Sequence, residues 1–136
     1  MSIPFPIETE RLLIRPFIPE ADSEAMLAVY GDPVVMLFIP GGALAGLAAV
    51  KSMLDKYANA QQRDGFSSWA VVERKTRRLI GDAGFGIFEP TGDVELGYTL
   101  ARDSWGHGFA TEAAKACLTT GLLHLHTRRI RSAAKR

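Results

Sequence analysis

Between Ser67 and Leu100 the chain places three strand-forming runs almost end to end. They are Ser67–Glu73, Leu79–Phe88 and Val94–Leu100, separated by a turn at Lys75-Thr76 and by Pro90-Thr91-Gly92-Asp93. A parallel return needs a crossover of about a dozen residues or more, and neither turn has that length. The three runs are therefore restricted to an antiparallel meander. In the last run Val94, Leu96 and Tyr98 share one face and Glu95 lies on the other,. Gly81, Gly84 and Gly86 in the middle run predict a bulge or the close approach of another backbone,.

The flanking segments follow a different period. Glu10–Phe17 reads as a first strand ended by Pro16. Asp22 or Ser23 is placed to cap a helix that runs to about Tyr30, with Met26, Leu27 and Tyr30 toward the core,. Gly31-Asp32-Pro33 breaks it, and a turn at Val34–Phe38 follows. A longer helix is expected from about Ala45 to Arg63, with Leu47, Val50, Leu54 and Tyr57 at helical spacing and Gly65 at its C-terminal end,. After the meander, the loop Ala101–Ala110 leads into a helix, Thr111–Leu125, and a strand begins at Arg129–Ala133. A strand reached through a helix lies parallel to the one before it. The expected fold is α/β: a mixed, mostly antiparallel sheet flanked by helices, with one parallel crossover at the C-terminal end.

Composition narrows the function classes. A chain of 136 residues suits one domain, and 47% hydrophobic with 23% charged residues suits a packed core rather than disorder,. No run approaches the ~18 apolar residues of a membrane span, and Met1–Pro6 lacks a signal-peptide pattern,. The single cysteine, Cys117, excludes an internal disulfide and fits a reducing compartment,. The expectation is a cytoplasmic protein with no membrane partner. Cys117 sits among Ala113, Ala114, Ala116 and Leu118, which favours a buried small hydrophobe over a nucleophile,. His124 and His126, two apart, make a poor metal pair, and no metal is expected,. No acid follows Glu112, and the last nine residues carry five basic ones: Arg128, Arg129, Arg131, Lys135 and Arg136. A solvated chain end is favoured over a nucleic-acid or ribosome contact, because no aromatics interleave with the charges.

The chemistry-bearing segment is Trp105-Gly106-His107-Gly108-Phe109-Ala110-Thr111, between a strand and a helix. Its glycines permit positive φ and close ligand approach. Free N–H groups at a helix start, aided by the helix dipole, favour an anion, and phosphate is the natural one. Taken alone, the glycines fit a tight strand-to-helix turn equally well. The pattern is neither a Walker A loop nor a dinucleotide fingerprint, whose third glycine position holds Thr111 here,.

Trp105–Ala110 resembles the pyrophosphate signature Q/R-x-x-G-x-G/A of the GNAT acyltransferase superfamily. Gly108 and Ala110 match, and Trp105 replaces the usual Gln or Arg. ELGYTLARDSWGHGFATEAAKA looks like the corresponding stretch of the group that acetylates N-terminal amines of ribosomal proteins. TERLLIRP (Thr9–Pro16), GDPVVM (Gly31–Met36) and Gly65–Phe85 fall in that group's order, so the resemblance spans nearly the whole chain. It implies acetyl-CoA as co-substrate and a primary amine, on a protein N-terminus or a small molecule, as acceptor. It places the pyrophosphate on the amides of Gly106, His107, Gly108, Phe109, Ala110 and Thr111, next to Trp105. The pantetheine arm then lies along Tyr98, Thr99 and Leu100, where a backbone N–H polarises the thioester carbonyl.

Glu95 is the expected general base, directly or through water; an ordinary polar-face residue is the equal alternative. His107 either contacts a phosphate or points to solvent. Glu112 reads as a structural acid at a helix start. Trp69 and Phe66 fit either core or acceptor cleft. Superfamily members continue beyond the last strand seen here with an asparagine-containing turn, a helix, two more strands and often a tyrosine acid. The resemblance therefore implies one acyltransferase-like domain that is C-terminally incomplete. Two alternatives follow: a second copy completing or covering the open sheet edge, or a module that binds CoA without turning it over.

Overall fold

The structure, a computed structural model, describes residues 2–125 and 130–132. The meander forms as the short turns require. Strands β3 (Ser68–Glu73), β4 (Leu79–Phe88) and β5 (Asp93–Leu100) pair antiparallel in sequence order. Upstream, β2 (Leu12–Pro16) adds to β3, and β1 (Ile7–Glu8), which the sequence did not suggest, pairs with β2. Strand β6 (Ile130–Ser132) joins the other edge, parallel to β5, with Val94 opposite Ile130 and Glu95 opposite Arg131. The sheet therefore runs β1-β2-β3-β4-β5-β6, with one parallel pair, as expected.

The α-helices of the described residues divide between the two faces. Helices α1 (Pro19–Tyr30) and α2 (Leu47–Asp64) cover one face, where Met26, Val29, Tyr30, Val50 and Leu54 pack with Ala70 of β3. Helix α3 (Phe109–His124) covers the other. There Phe109, Ala113 and Cys117 meet Leu12, Ile14, Trp69, Val71, Phe85 and Leu96. The alternation of Trp69, Ala70 and Val71 between the two cores is the period-2 pattern of a strand buried on both sides.

Several boundaries differ from the sequence expectation, each for a local reason. Helix α1 starts at Pro19 rather than after Asp22 or Ser23, because proline at the first helical position is preset for the turn,. Asp22 instead sits inside the helix. Its carboxylate accepts the Ile18 amide at 2.7 Å and both Arg15 terminal nitrogens at 2.8 and 2.9 Å. Helix α2 starts at Leu47, and that residue is 48% exposed rather than core. It ends at Gly65, whose φ of 80° is the left-handed cap the sequence suggested,. In β4, Ile80 is the extra residue of a bulge, since Val71 faces Gly81 and Val72 faces Leu79,. Gly81 and Gly84 serve close approach: a Cβ there would lie 2.1 Å from Thr99 O and 2.2 Å from Ser67 O. Helix α3 begins at Phe109, two residues before the expected Thr111.

Candidate functional site

The early start of α3 shapes the loop. Gly106 and Gly108 have φ of 79° and 80°, so the chain turns left-handed twice before the helix begins. Gly108 is the N-cap and no side chain caps the helix. Glu112 N–H is the first to find an acceptor, Gly108 O at 3.0 Å. The amides from Gly106 to Thr111 donate to no protein acceptor among the described residues. All of these residues except His107 edge a cavity of about 380 Å³. Its other walls are Tyr98 and Leu100 from β5 and Ser104 and Trp105 before the loop. A cradle of unpaired donors at a helix start can hold an anion such as a phosphate.

The structure thus gathers Tyr98, Leu100, Trp105, Gly106, Gly108, Phe109, Ala110 and Thr111 around one cavity, and leaves two expected residues outside its lining. Thr99 points to the opposite sheet face. His107 is exposed and presents its carbonyl to Arg11 Nη1 at 2.8 Å. Trp105, at the usual Gln or Arg position, donates its indole N–H to Leu100 O at 2.9 Å and so ties the loop to the end of β5.

The loop is fixed from behind by a carboxylate. Glu112 accepts from Arg11 Nε at 2.7 Å, from the Arg11 amide at 2.9 Å and from the Thr9 hydroxyl. Arg11 also lies over the Phe109 ring, 4.4 Å from its centroid,. Burial pushes the Glu112 carboxyl up, but the Thr9 hydroxyl, the Arg11 amide and the guanidinium outweigh it and hold it below its ordinary range,. Glu112 is a structural anchor between α3 and the β1–β2 turn.

Glu95 lies on the α1–α2 face of β5, opposite the Val94, Leu96 and Tyr98 side, as the alternation required. It lines a second, smaller cavity of about 170 Å³ together with Gly97 and Asp82. It also pairs with Arg131 of β6 at 3.4 Å, and Arg131 sits over the Phe88 ring at 3.6 Å. Asp82 is a functional candidate that the sequence reading passed over. It is buried and bonded to the Tyr30 hydroxyl, and burial pushes its carboxyl up to about 7, against hydrogen bonds from Tyr30 and the Thr99 amide. The signal was available: Asp82 is the one acid in the apolar run LIGDAGF,.

The remaining expectations divide. Cys117 is fully buried and its thiol is pushed up to about 12, first by burial and then by the charge of Asp82, which keeps it from nucleophilic work,. Trp69 is core: it is fully buried, packs edge-on against Phe5 and Phe85, and bonds Gln61 through Nε1 at 2.7 Å. Phe66 packs edge-on against Phe85 at the rim of the same core. His126, Arg128, Arg129, Lys135 and Arg136 lie outside the described residues. Among the described residues no group of His, Cys, Asp and Glu is placed to hold a metal, and no helix is long and apolar enough to cross a membrane. A wider groove of about 920 Å³ runs beside α1, away from the loop. Its Arg15 and Arg78 are engaged by Asp22 and Asp103.

Comparison with known proteins bears on the family and the fold. The acetyltransferase (GNAT) domain family matches residues 11–136. The uncharacterized N-acetyltransferase YoaA of Bacillus subtilis (strain 168) is 30% identical over 128 residues, covering 93% of this chain and 72% of that protein. Among solved structures, a GNAT-family acetyltransferase from Bacillus anthracis superposes with a TM-score of 0.79 at 27% identity, over 94% of this chain and 72% of the other. A ribosomal L7/L12 alpha-N-protein acetyltransferase, solved in complex with coenzyme A, shares the fold with a TM-score of 0.76 at 16% identity, over 93% of this chain and 72% of the other. With a family match over most of its length and a fold to agree with it, the chain belongs to the GNAT acetyltransferase family.

Proposed function

We propose that this chain transfers the acetyl group of acetyl-CoA to a primary amine by direct attack, both ligands being bound together. The observation that carries the reading is the row of amides from Gly106 to Thr111, unpartnered among the described residues, at the edge of a cavity that continues along Tyr98 and Leu100. Those residues suit the cofactor in order. The amides suit the pyrophosphate, and the edge of β5 at Tyr98–Leu100 suits an extended arm that pairs like a strand. Pairing between β5 and β6 runs only to Leu96 and Ser132 among the described residues. Acetyl-CoA, when bound, supplies an activated acetyl group as its thioester. The coenzyme A held by the ribosomal-protein acetyltransferase of the same fold supports the assignment.

The protein contributes positioning and electrostatics. A backbone N–H near Tyr98–Leu100 would stabilise charge on the carbonyl oxygen. Holding amine and thioester together removes much of the entropic barrier. The acceptor would enter from the α1–α2 face, where Gly97 and the carboxyls of Asp82 and Glu95 line the smaller cavity and a carboxylate can take the proton that the amine loses,.

Ala110→Glu tests the cofactor site. Ala110 is partly buried against the core, and a carboxylate in the first turn suits the helix dipole, which offsets part of the cost of the larger side chain, so the variant should still fold,. It should also repel a pyrophosphate, so acetyl-CoA affinity by calorimetry should fall about tenfold or more, with most of the loss at low salt. Unchanged affinity would place the phosphates elsewhere and remove the central claim. Saturable acetyl-CoA binding with no CoA release across a panel of amines would instead leave a binding module.

A further inference from the structure

The α1–α2 face of the sheet carries a bare floor between two acids. Cross-strand partners share a face, so Ala70, Asp82 and Thr99 form one row and Ser68, Gly84 and Gly97 the next, with Gly86 and Glu95 beyond,. Rows two residues apart lie about 7 Å from each other. The middle row has no side chain on β4 or β5. A Cβ at Gly97 would meet nothing within 4 Å, so the space above it is open. Tyr30, Met36, Ile39, Met53 and Tyr57 wall the resulting cavity of about 170 Å³.

Asp82 lies at the edge of this floor with no cation beside it among the described residues. The residue is 5% exposed, its carboxylate accepts from the Tyr30 hydroxyl, and no lysine or arginine lines the cavity. A buried carboxyl without a positive partner costs stability, and an asparagine could accept the same hydroxyl without that cost. The titratable groups around it are Tyr30 from α1, Tyr57 from α2, Glu95 from β5, and Cys117 of α3 from behind the sheet. The Tyr57 hydroxyl is pushed up to about 12, first by burial and then by the Asp82 charge, and Tyr30 also lies well above its ordinary value. Both tyrosines and Cys117 therefore stay neutral while Asp82 titrates. Glu95, by contrast, is engaged by Arg131.

We infer that Asp82, held by Tyr30 beside the Gly97 floor, is the group that takes the proton the acceptor's ammonium must lose before it attacks. The inference rests on the acetyl transfer proposed above and assigns its base to Asp82 rather than Glu95. The acceptor arrives as R–NH3+. One proton passes to the Asp82 carboxylate, and the freed lone pair forms the N–C bond at the thioester carbonyl carbon. The C–S bond then breaks with its electron pair on sulfur. The amine's second proton ends on that sulfur as the thiol, and Asp82 returns its own proton to solvent. A carboxyl titrating near neutrality suits this duty,. The cavity volume equals about five or six waters, and its walls are largely apolar,. It fits a primary amine on a slim, unbranched stem.

Carbon-13 NMR of the full chain labelled at aspartate carboxyls tests this, with n-butylamine as probe and n-butanol as its uncharged control. The Asp82 signal should titrate near pH 7. Butylammonium should shift it and lower its midpoint, and butanol should do neither. With butylamine as acceptor, the acidic limb of kcat/KM should follow the same midpoint. Asp82→Asn should lose that limb and about 100-fold in kcat while its acetyl-CoA Kd stays within twofold, and Glu95→Gln should keep the limb. The Cβ of Gly97→Leu meets nothing within 4 Å and its branch enters the cavity, so the variant should fold and lose the butylammonium shift. An Asp82 signal indifferent to butylammonium, or an Asp82→Asn variant that keeps the acidic limb, overturns the assignment. A wild-type protein that binds no acetyl-CoA defeats the transfer reading separately, and the NMR response still judges the cavity.

Discussion

At the scale of single residues, two carboxyls act in opposite ways because their partners differ. Glu112 faces Arg11 and Thr9, and its charged form is favoured. Arg11 is 40% exposed, which discounts the pair for solvent screening, so Glu112→Gln should cost about 1–2 kcal/mol at pH 7 by urea unfolding,. The folded carboxyl lies below its ordinary 4.5, so its contribution is present above that pH and is lost as pH falls through the folded value,. The gap between wild type and variant should therefore close in acid. Asp82 runs the other way. Its folded carboxyl is raised from 3.8 to about 7, so the stability it contributes is complete below about 4 and is lost as pH rises through 7,. Asp82→Asn should flatten that decline in a thermal-melt series. Glu112 was legible as a structural acid from its place at a helix start. Its partner Arg11, about a hundred positions earlier, was not, since only folding brings the two together.

At the scale of elements, the strand and helix types were readable and their ends were not. Period and turn length identified the meander, and Gly65 identified the end of α2. The start of α3 was misplaced because Phe109 and Ala110 are equally at home in a loop or a first turn. That difference of two residues turns the Phe109 and Ala110 amides from loop groups into unpaired helix donors. The glycines of β4 look alike in sequence but not in space. Gly84→Ala would place a methyl 2.2 Å from Ser67 O at a φ of 157° and should cost about 2–4 kcal/mol in chemical denaturation,. Gly86→Ala meets nothing within 4 Å and should change stability by no more than about 0.5 kcal/mol,. Comparable losses at both positions would refute the close approach seen at Gly84.

At the scale of the whole molecule, one sheet separates two cores. Leu12 belongs to the α3 side and Leu54 to the α1–α2 side, and both are fully buried. Each substitution to alanine should cost about 2–5 kcal/mol. Trp105 packs against both cores, but Leu12 and Leu54 lie in different ones, so the double variant should lose the sum within about 0.5 kcal/mol in equilibrium unfolding,. A clear departure would mean that the two cores are coupled through the strands. The same division separates the two cavities. Tyr98 and Leu100 face the loop cavity on the α3 side, while Glu95, Gly97 and Thr99 face the smaller one on the α1–α2 side. Strand β5 thus carries neighbouring residues to two different spaces, which suits a reaction that joins two ligands.

The sequence by itself determined the antiparallel meander, the parallel crossover and the face on which Glu95 stands. Those follow from turn lengths and from side-chain periodicity, which are properties of local segments. It also placed a glycine-containing loop between β5 and α3, where Gly106 and Gly108 are free to turn left-handed,. Only the tertiary structure decided which amides are left unpaired, since that depends on where α3 begins. Only the tertiary structure set Asp82, Tyr30 and Gly97 around one cavity, because they come from three different elements. Their chemistry depends on burial and neighbouring charge, which exist only once α1 and α2 close over the sheet.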